Sequence, residues 1–398
     1  MTFEKVWRQA IKRISYFFKW GITSLLSEVN KLKILYLTNV PSPYIVCFLN
    51  ELGKFCDLTA VFEKSASTER DNSWNKYQFS TFNGIVLNGI STDVDKAICP
   101  QIVKYLKKNV YDYIIVANPA TPTGIIAIEY LKFRKIPFIL QSEGGFAKSG
   151  KGIKERFKKH LMSGAKLYFS ATETGDKYFI TYGAKKEQIV RYPFTSFYEK
   201  DLVTAIPTKQ EKLNIRKKLG IEEKKIILSI GQFIYRKGFD ILLSACKDMD
   251  KAVGIYIVGG TPTEDYIKLK QDLNLENVHF IGFKSKDDLK EYYKIADLFV
   301  LPTREDTWGL VINEAMACGL PVITTNRCIA GLELVKDYEN GFIVSVGDKK
   351  ELEEKMNVIL NDDELREKMA KKSLEKIQWY TFENMAKSHM EIFERNSC

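Results

Sequence analysis

Short apolar runs alternate with stretches of helical periodicity along most of the chain. From Lys33 onward the strand-sized runs are KILYLTNV, DLTAVFE, GIVLNGI, DYIIVAN, PFILQSE, KLYFSAT and QIVRYPF. A second series begins at Lys224 with KKIILSIGQ, VGIYIVGG, VHFIGF, LFVLPT, PVITTN and GFIVSV. Helical patterns such as GIIAIEYLKFRK and DDLKEYYKIA lie between the runs. This alternation predicts an α/β fold built from βαβ units, with parallel sheets that are buried on both faces.

A polar break separates the two series. The segment YEKDLVTAIPTKQEK, residues 198–212, has a proline, mixed charge and weak periodicity, which are typical of an interdomain linker. We therefore predict two doubly wound, Rossmann-like domains: residues 31–200, together with a C-terminal helix at 379–398 that crosses back, and residues 201–378. Ligands of open α/β sheets bind beyond the carboxyl ends of the strands, so we expect the site in a cleft between these domains.

Two further segments have a helical pattern. The stretch KKELEEKMNVILNDDELREKMAKKSLEKI is predicted as one long helix. Residues 1–30 form a basic amphipathic pattern, in which EKVWRQAIKRISYFFKWGITSLL places Trp and Phe on one helical face and Lys and Arg over the remainder. Such a pattern is typical of a helix lying in a membrane interface, and we expect it to contact an anionic membrane. The alternatives are a helix packed on the protein's own surface and a flexible leader.

Composition narrows the class of protein. An apolar content of 45% and a charged content of 28% are those of a globular protein, and the net charge of +10 suggests anionic partners in general. The seven cysteines are scattered and contain no CxxC pair, which argues against a disulfide framework and a zinc site. We find no apolar run long enough to cross a membrane and no signal peptide. These features favour a cytoplasmic protein, located at the inner face of the cell membrane if residues 1–30 bind lipid.

The stretch TREDTWGLVINEAMACGLPVITTN, residues 303–326, is the first candidate site. It predicts a turn at the end of a strand, followed by a helix whose first amides around Trp308 are free to bind a phosphate. Eight residues of helix separate Asp306 from Glu314, about 12 Å, which is too far for a glycosidase pair of carboxylates. The two acids suit two parts of one extended ligand, such as the two sugars of a nucleotide sugar. Alternatively, Asp306 caps the helix and Glu314 is solvated.

A second candidate follows another strand. In SIGQFIYRKGFD, Gly231 allows close approach of the backbone and Gly238 ends the turn. Arg236 and Lys237 therefore lie at the carboxyl end of a strand, where a diphosphate would bind. An Arg-Lys pair of this kind is otherwise a solvated surface feature.

Four segments together resemble a known family. GQFIYRKGFD, FIGFKSKDDL, ADLFVLPT and EDTWGLVINEAMACGLPVI resemble, in this order, the C-terminal half of the retaining glycosyltransferases of family four. Members of that family have the GT-B architecture, in which two Rossmann-like domains face a central cleft. The match covers roughly residues 226–346, and NVPSPYIVCFLNELGKFCDLTAVFE more weakly resembles the start of members that build bacterial polysaccharides.

The resemblance implies a UDP- or GDP-linked sugar donor and transfer, with retention, to a glycan or lipid-linked acceptor in surface polysaccharide biosynthesis. It implies that Lys237, with Arg236 beside it, neutralises the donor diphosphate, and that Asp306 holds a hydroxyl of the transferred sugar. It also implies that Glu314 holds the ribose hydroxyls. The remaining implied donor contacts lie in loops at strand ends and are Gly231, Gln232, Gly260, Phe283, Trp308, Gly309 and Leu310.

Three departures from the family pattern are present. Asp306 stands where Glu is usual, which shortens the side chain by one methylene. Gln232 stands where Arg is usual, so we expect Arg236 to replace the missing cation. Many members have a cleft histidine in the N-terminal domain, whereas QSEGG occupies that region here. Glu143 is our candidate for acceptor contact or base catalysis, although an acid before Gly-Gly also stabilises turns.

We expect no cofactor and no metal, because a cationic pair and helix amides can stabilise a departing diphosphate. Two rival functions are a GT-B-like scaffold that has lost turnover, which Gln232 and the missing histidine favour, and a nucleotide-sugar epimerase or hydrolase. A dinucleotide dehydrogenase is disfavoured because no GxGxxG follows a strand with an acid about 20 residues later. Dispersed positive charge without a recognition module argues against nucleic-acid binding.

Overall fold

The computed structural model describes residues 31–66, 78–147, 150 and 152–396. The helix predicted at residues 1–30 lies outside this range. The strands are β1 (Lys33–Thr38), β2 (Asp57–Phe62), β3 (Asn83–Val86), β4 (Ile90–Asp93), β5 (Lys96–Ile98), β6 (Tyr113–Val116), β7 (Ile139–Ser142), β8 (Leu167–Ser170), β9 (Ile189–Arg191), β10 (Lys225–Ile230), β11 (Val253–Val258), β12 (Val278–Ile281), β13 (Leu298–Leu301), β14 (Val322–Thr325) and β15 (Gly341–Val344).

The helices lie between these strands and after the last one. In chain order they are α1 (Pro43–Leu52), α2 (Pro122–Phe133), α3 (Ile153–Met162), α4 (Glu173–Thr181), α5 (Lys209–Leu219), α6 (Phe239–Ala245), α7 (Glu264–Asp272), α8 (Lys286–Ile295), α9 (Leu310–Ala317), α10 (Ile329–Leu334), α11 (Lys349–Asn361), α12 (Asp363–Ile377) and α13 (Phe382–Arg395). Every strand-sized run quoted from the sequence is a strand, which confirms the predicted alternation.

Contacts divide the described residues into two compact units, one within 1–42 and 49–138 and the other within 43–48 and 139–398. In the first unit the parallel strands follow the order β3-β2-β1-β6. The antiparallel pair β4 and β5 was not predicted, because the exposed strand β4, ISTD, has no apolar alternation. The domain boundary predicted near residue 200 falls inside the second unit, and it stays a prediction.

A buried carboxyl group lies at the carboxyl end of β2. Glu63 is fully buried, and its carboxylate accepts hydrogen bonds from the Thr121 hydroxyl at 2.5 Å and the Ala97 amide at 3.2 Å. Burial raises the pKa of Glu63 to about 7, against the effect of these hydrogen bonds. The side chain therefore takes up its proton near neutral pH, well above the range of an ordinary glutamate.

The second unit contains the parallel strands β7, β8 and β9 and a six-stranded parallel sheet of order β12-β11-β10-β13-β14-β15. Ile227 of β10 and Ile255 of β11 belong to one apolar core with Leu242 of α6 and Met356 of α11. Every residue of β11, β13 and β14 is buried, so both faces of the sheet are covered, as its continuous apolar strands require.

The C-terminal helix α13 packs on the strands β7 and β8. Its His389 is fully buried, with Nδ1 2.8 Å from the Met385 carbonyl and Nε2 3.3 Å from the Gln141 side-chain oxygen. The imidazole also contacts the Phe169 ring at 5.0 Å. Burial lowers the pKa of His389 to about 4, so the ring is neutral in the folded protein at neutral pH.

Two helix predictions need correction. The long helix predicted after β15 is two helices, because Asp362 leaves helical geometry and its carboxylate caps α12 by accepting from the Leu365 amide at 2.9 Å. The end of the predicted linker is also helical. Thr208 and Glu211 form a capping box, which starts α5 at Lys209.

Candidate functional site

The strand order of the six-stranded sheet reverses at β10. Strands β11 and β12 extend to one side of β10, and β13, β14 and β15 extend to the other. The carboxyl ends of β10 and β13 therefore flank a topological switch point, which is where open α/β sheets bind ligands. The loops 231–238 and 302–309 leave these two strand ends and contain most of the predicted site residues.

The two loops are in direct contact. The Arg304 amide donates to the Arg236 carbonyl at 2.8 Å, and the Thr303 hydroxyl donates to the same oxygen at 2.9 Å. Gly238 has φ +71°, and a Cβ atom there would lie 2.1 Å from the Pro302 carbonyl oxygen. Because no side chain fits this space, glycine is what allows the loops to meet.

An ion-pair cluster lies at this contact. The Lys237 Nζ atom is 2.5 Å from one carboxylate oxygen of Asp306, and an Arg236 guanidinium nitrogen is 3.3 Å from the other. The same guanidinium donates to the Glu305 carbonyl at 3.0 Å. Asp306 is only 8% exposed and is therefore partly dehydrated. The two cations balance its charge in this environment. The structure thus brings together three of the four predicted catalytic residues.

The predicted residue Gly231 lies beside this cluster. A Cβ atom on Gly231 would be 3.3 Å from the Cε atom of Lys237, and one on Gly259 would be 2.0 Å from the Gly231 carbonyl oxygen. The loops after β10 and β11 therefore touch each other. Gln232 is exposed, and a Cβ atom on Gly260 would face open space. Phe283 is 55% exposed and follows β12 at the same edge of the sheet.

The backbone amides that are predicted to bind the donor lie at the start of α9. Leu310 is the first residue of the helix, and Gly309 precedes it with φ +100°. The Trp308 ring is buried, packs edge-on against Phe194 with centroids 5.0 Å apart, and donates through Nε1 to Asn313 at 2.8 Å. Trp308 is thus a core side chain, and its predicted role is left to its backbone amide.

Glu314 lies on the next turn of α9 and is half-buried. Its two carboxylate oxygens accept hydrogen bonds from the Tyr293 hydroxyl at 2.9 Å and the Ser196 hydroxyl at 3.3 Å. Burial raises the pKa of Glu314, while the two hydrogen bonds act in the opposite direction. Sequence reasoning missed Tyr293 and Ser196, since nothing in the local pattern indicates that they reach this helix.

The loop after β7, which contains Glu143, lies against the Asp306 loop. A Cβ atom on Gly144 would be 2.7 Å from a methyl carbon of Ile329 and 3.3 Å from the Thr307 carbonyl oxygen. Glu143 itself is half-buried. The predicted residue is therefore close in space to the rest of the cluster, although its catalytic role stays a prediction.

Arg327 joins the same two loops and was not identified from the sequence. Its guanidinium stacks over the Phe146 ring at 4.0 Å and pairs with Glu305 at 2.7 Å. The Asp306 amide also donates to the Arg327 carbonyl at 3.0 Å. Both the main chain and the side chain of Arg327 thus fix the site loops to each other.

The described residues contain neither a cluster of metal ligands nor a membrane-spanning helix. In those ranges, no group of three or more His, Cys, Asp or Glu side chains is placed to hold a metal ion. No helix in the described part of the chain is long and apolar enough to span a membrane. A cavity of about 620 Å³ lies beside Glu223 and His279, and none of the predicted site residues lines it.

The sequence of the six-stranded sheet matches a known family. Residues 211–376 match the family model described as glycosyl transferases group 1. An uncharacterized glycosyltransferase of Methanocaldococcus jannaschii is 30% identical over 192 residues, which cover 46% of this chain and 49% of that protein. The alignment thus spans about half the length of this curated relative.

A longer alignment exists at lower identity. The N,N'-diacetylbacillosaminyl-diphospho-undecaprenol alpha-1,3-N-acetylgalactosaminyltransferase of Campylobacter jejuni is 24% identical over 310 residues, or 74% of this chain and 80% of that protein. The Anabaena protein HepE, solved in complex with UDP and glucose, superimposes with a TM-score of 0.70 at 21% identity. This superposition covers 92% of the chain and 99% of HepE.

These comparisons confirm the predicted two-domain α/β fold with parallel sheets, which the chain shares with solved glycosyltransferase structures such as that of WaaG at a TM-score of 0.64. The family match includes Lys237, Asp306 and Glu314, and it ends within α12. The resemblance to the glycosyl transferases group 1 family therefore covers residues 211–376, which include the whole six-stranded sheet.

Proposed function

We propose that the protein is a retaining glycosyltransferase that moves a sugar from a UDP- or GDP-linked donor to a glycan or lipid-linked acceptor in surface polysaccharide biosynthesis. The observation that carries the proposal is the ion-pair cluster of Lys237, Arg236 and Asp306 at the switch point of the sheet. The match of residues 211–376 to the glycosyl transferases group 1 family supports it. The C. jejuni relative, named for a diphospho-undecaprenol-linked sugar, supports the acceptor class.

In the proposed reaction Lys237 and Arg236 exchange part of their contact with Asp306 for contact with the donor diphosphate. They neutralise the negative charge that grows on the diphosphate as its bond to the sugar breaks, and fixed cations stabilise such charge more strongly than water does. Asp306 then accepts a hydrogen bond from the transferred sugar. The amides at Gly309 and Leu310 face the phosphate or the sugar, and Glu314 accepts from the ribose hydroxyls.

The proposal assigns no metal and no cofactor to the chemistry. Glu143 is proposed to contact the acceptor or to remove its proton, because its loop lies against Thr307. Residues 1–30 are proposed to hold the enzyme at the inner face of the membrane, where a lipid-linked acceptor would be reached.

The first test is thermal unfolding of the protein with UDP, GDP, ADP and CMP. A ligand present at 100 times its dissociation constant adds about 2.7 kcal/mol to the stability of a protein that binds it only when folded. We expect one nucleotide to raise the unfolding temperature of the wild type but not that of Glu314→Ala. Glu276→Ala, which removes a well-exposed carboxylate elsewhere, is the control and should respond like the wild type.

The outcomes separate the rival functions. If no nucleotide stabilises the wild type, the donor site does not work as proposed and a scaffold becomes the better interpretation. If a nucleotide binds, the cognate nucleotide sugars are tested for turnover. Consumption of the donor with only water present would indicate a hydrolase, and isomerised donor would indicate an epimerase.

A further inference from the structure

The side chain of Arg304 crosses from the loop after β13 to the loop after β10. Its two terminal nitrogens donate to the two carboxylate oxygens of Asp240, at 2.9 and 2.6 Å. One of these nitrogens also donates to the Tyr235 carbonyl at 2.7 Å. The guanidinium lies over the Tyr235 ring, 3.8 Å from its centroid. Arginine provides both a planar pair of donors and a face that stacks, and both are used here.

These contacts lie on both sides of Lys237 in the chain. Tyr235 and Arg236 precede it, and Asp240 follows it in the first turn of α6. The Arg304 amide donates to the Arg236 carbonyl at 2.8 Å, so the main chain of Arg304 adds a further contact to the same segment. Arg304 therefore binds the chain before and after Lys237 and fixes the segment that carries this lysine.

The backbone around Lys237 has little regular structure of its own. Residues Tyr235–Lys237 form a single 3-10 turn, in which the Lys237 amide donates to the Ile234 carbonyl at 2.9 Å. The hydrogen bonds of such short turns have poor geometry and hold the chain weakly. Lys237 and Asp306 lie 69 residues apart in the chain, so contacts between the two loops set the distance between their side chains.

Arg304 differs from the two cations of the ion-pair cluster. Both of its terminal nitrogens donate to Asp240, whose carboxylate neutralises the charge of Arg304. Lys237 and Arg236, by contrast, contact Asp306. Arg304 is therefore placed to hold the loop, and contact with a donor is left to the other two cations.

We propose that Arg304 is a positioning residue, which acts through Lys237 by holding it against Asp306. A cation stabilises the charge of a departing diphosphate best when it is already in place. A displacement of about 1 Å in such a site can lower the rate by about 10²-fold. The role in catalysis rests on the proposed function, whereas the effect on the pair of Lys237 and Asp306 does not.

The first measurement does not depend on catalysis. A double-mutant cycle of Lys237→Ala and Asp306→Asn, measured by denaturant unfolding, gives the coupling free energy between the two side chains. We expect Arg304→Ala to remove at least about half of this coupling. Arg366→Ala is the matched control, because Arg366 also pairs with an aspartate, Asp363 at 2.8 Å, and donates to main-chain carbonyls, but lies outside the site loops. The control should leave the coupling unchanged.

The second measurement is the rate of sugar transfer. We expect Arg304→Ala to lower kcat about 10- to 100-fold and to change KM for the donor less, because the charge on the diphosphate is greatest in the transition state. Arg304→Lys keeps the charge but loses the planar pair of donors, so its rate should be intermediate. In a Lys237→Ala background, Arg304→Ala should lower kcat by less than about threefold, since the residue through which it acts is absent. A general loss of stability would lower the rate equally in both backgrounds.

Two results would overturn the inference. Equal coupling of Lys237 with Asp306 in the presence and absence of the Arg304 side chain would show that Arg304 does not hold the pair. Equal losses of kcat on mutation of Arg304, with and without Lys237, would show that Arg304 does not act through this lysine. If the wild type turns over no nucleotide sugar, the proposed function fails, and the coupling measurement still decides whether Arg304 holds the pair.

Discussion

At the scale of single residues, the pairing of Asp306 with Lys237 and Arg236 is the central feature of the candidate site. An exposed ion pair contributes little to stability, but Asp306 is nearly buried and is contacted by two cations. The removal of either cation leaves part of a buried negative charge uncompensated. The pairing thus links the stability of the site loops to the charges that the proposed chemistry requires.

Loss of Lys237 should therefore reduce activity strongly. We expect Lys237→Ala to lower the rate of sugar transfer by an order of 10² or more, as the loss of one electrostatic stabiliser does in other enzymes. Lys237→Arg keeps the charge and should retain more of the rate. The measurement is kcat/KM for the donor, with thermal unfolding as the check on folding and Lys349→Ala as the surface control. A near-wild-type rate for Lys237→Ala would remove this residue from the mechanism.

Nucleotide affinity should depend on pH through Glu314, and the surroundings of this side chain determine the direction. Burial raises its pKa, and only the ionised carboxylate accepts from two ribose hydroxyls, so nucleotide affinity should fall as pH is lowered toward that raised pKa. We expect the dissociation constant, measured by calorimetry from pH 8 to pH 5, to rise more steeply for the wild type than for Glu314→Gln. The Gln variant corrects for titration of the nucleotide itself. Parallel curves would show that Glu314 does not contact the ligand.

At the scale of elements, the contact between the loops after β10 and β13 depends on Gly238. An alanine there would place Cβ 2.1 Å from the Pro302 carbonyl oxygen, in addition to the left-handed φ of +71°. Gly220 has nearly the same φ, +69°, but no heavy atom within 4 Å of an added Cβ, so it is a matched control. Left-handed geometry costs a non-glycine residue about 1 to 2 kcal/mol.

We expect Gly220→Ala to lose about that amount of stability and Gly238→Ala to lose clearly more. Only Gly238→Ala should also weaken nucleotide binding, because it separates Lys237 from Asp306. Denaturant unfolding and nucleotide titration of both variants measure the two effects. Equal losses would show that the contact with Pro302 is not a tight constraint.

The packing of α13 should make the second unit sensitive to acid. His389 has a pKa of about 4 in the folded protein and about 6.5 when unfolded, so the unfolded state binds more protons between these values. Its contribution is present above pH 6.5 and is lost as pH falls to 4, by about 3 kcal/mol. Between pH 7.5 and pH 4.5 the unfolding temperature of His389→Phe should fall less than that of the wild type.

Glu63 acts in the opposite direction and lies in the other unit. Its pKa of about 7 exceeds the ordinary value, so the folded state binds the extra proton and stability falls as pH rises toward 7. The variant Glu63→Gln removes this opposing trend without changing α13. The comparison is between Glu63→Gln and the double variant Glu63→Gln/His389→Phe. If their unfolding temperatures depend on pH in the same way, the histidine is not the cause of acid sensitivity.

At the scale of the whole molecule, membrane contact is predicted at residues 1–30, because their basic amphipathic pattern is typical of a helix in a membrane interface. We therefore expect deletion of residues 1–30 to release the protein from anionic vesicles while nucleotide binding is kept. Co-sedimentation and a nucleotide titration of the deletion variant measure this. Unchanged sedimentation would contradict a lipid contact at residues 1–30.

The sequence by itself determined the alternation of strands and helices, the α/β class and the segments that carry the candidate site. These features are local: the periodicity of side chains predicts each element, and GQFIYRKGFD and EDTWGLVINEAMACGLPVI carry their residue types within a few positions. Two elements were not predicted correctly from such local patterns. A capping Asp362 divided one expected helix in two, and the polar strand β4 had no apolar pattern to predict it.

Only the tertiary structure decided which side chains meet. The sequence assigned Lys237 and Asp306 to one ligand but did not indicate that they pair with each other across 69 residues, because the order β10-β13 brings their loops together. It equally gave no sign that Ser196 and Tyr293 hold Glu314. Periodicity reports the neighbours of a residue along one helix or strand, whereas strand order and packing set the neighbours that determine charge, burial and pKa.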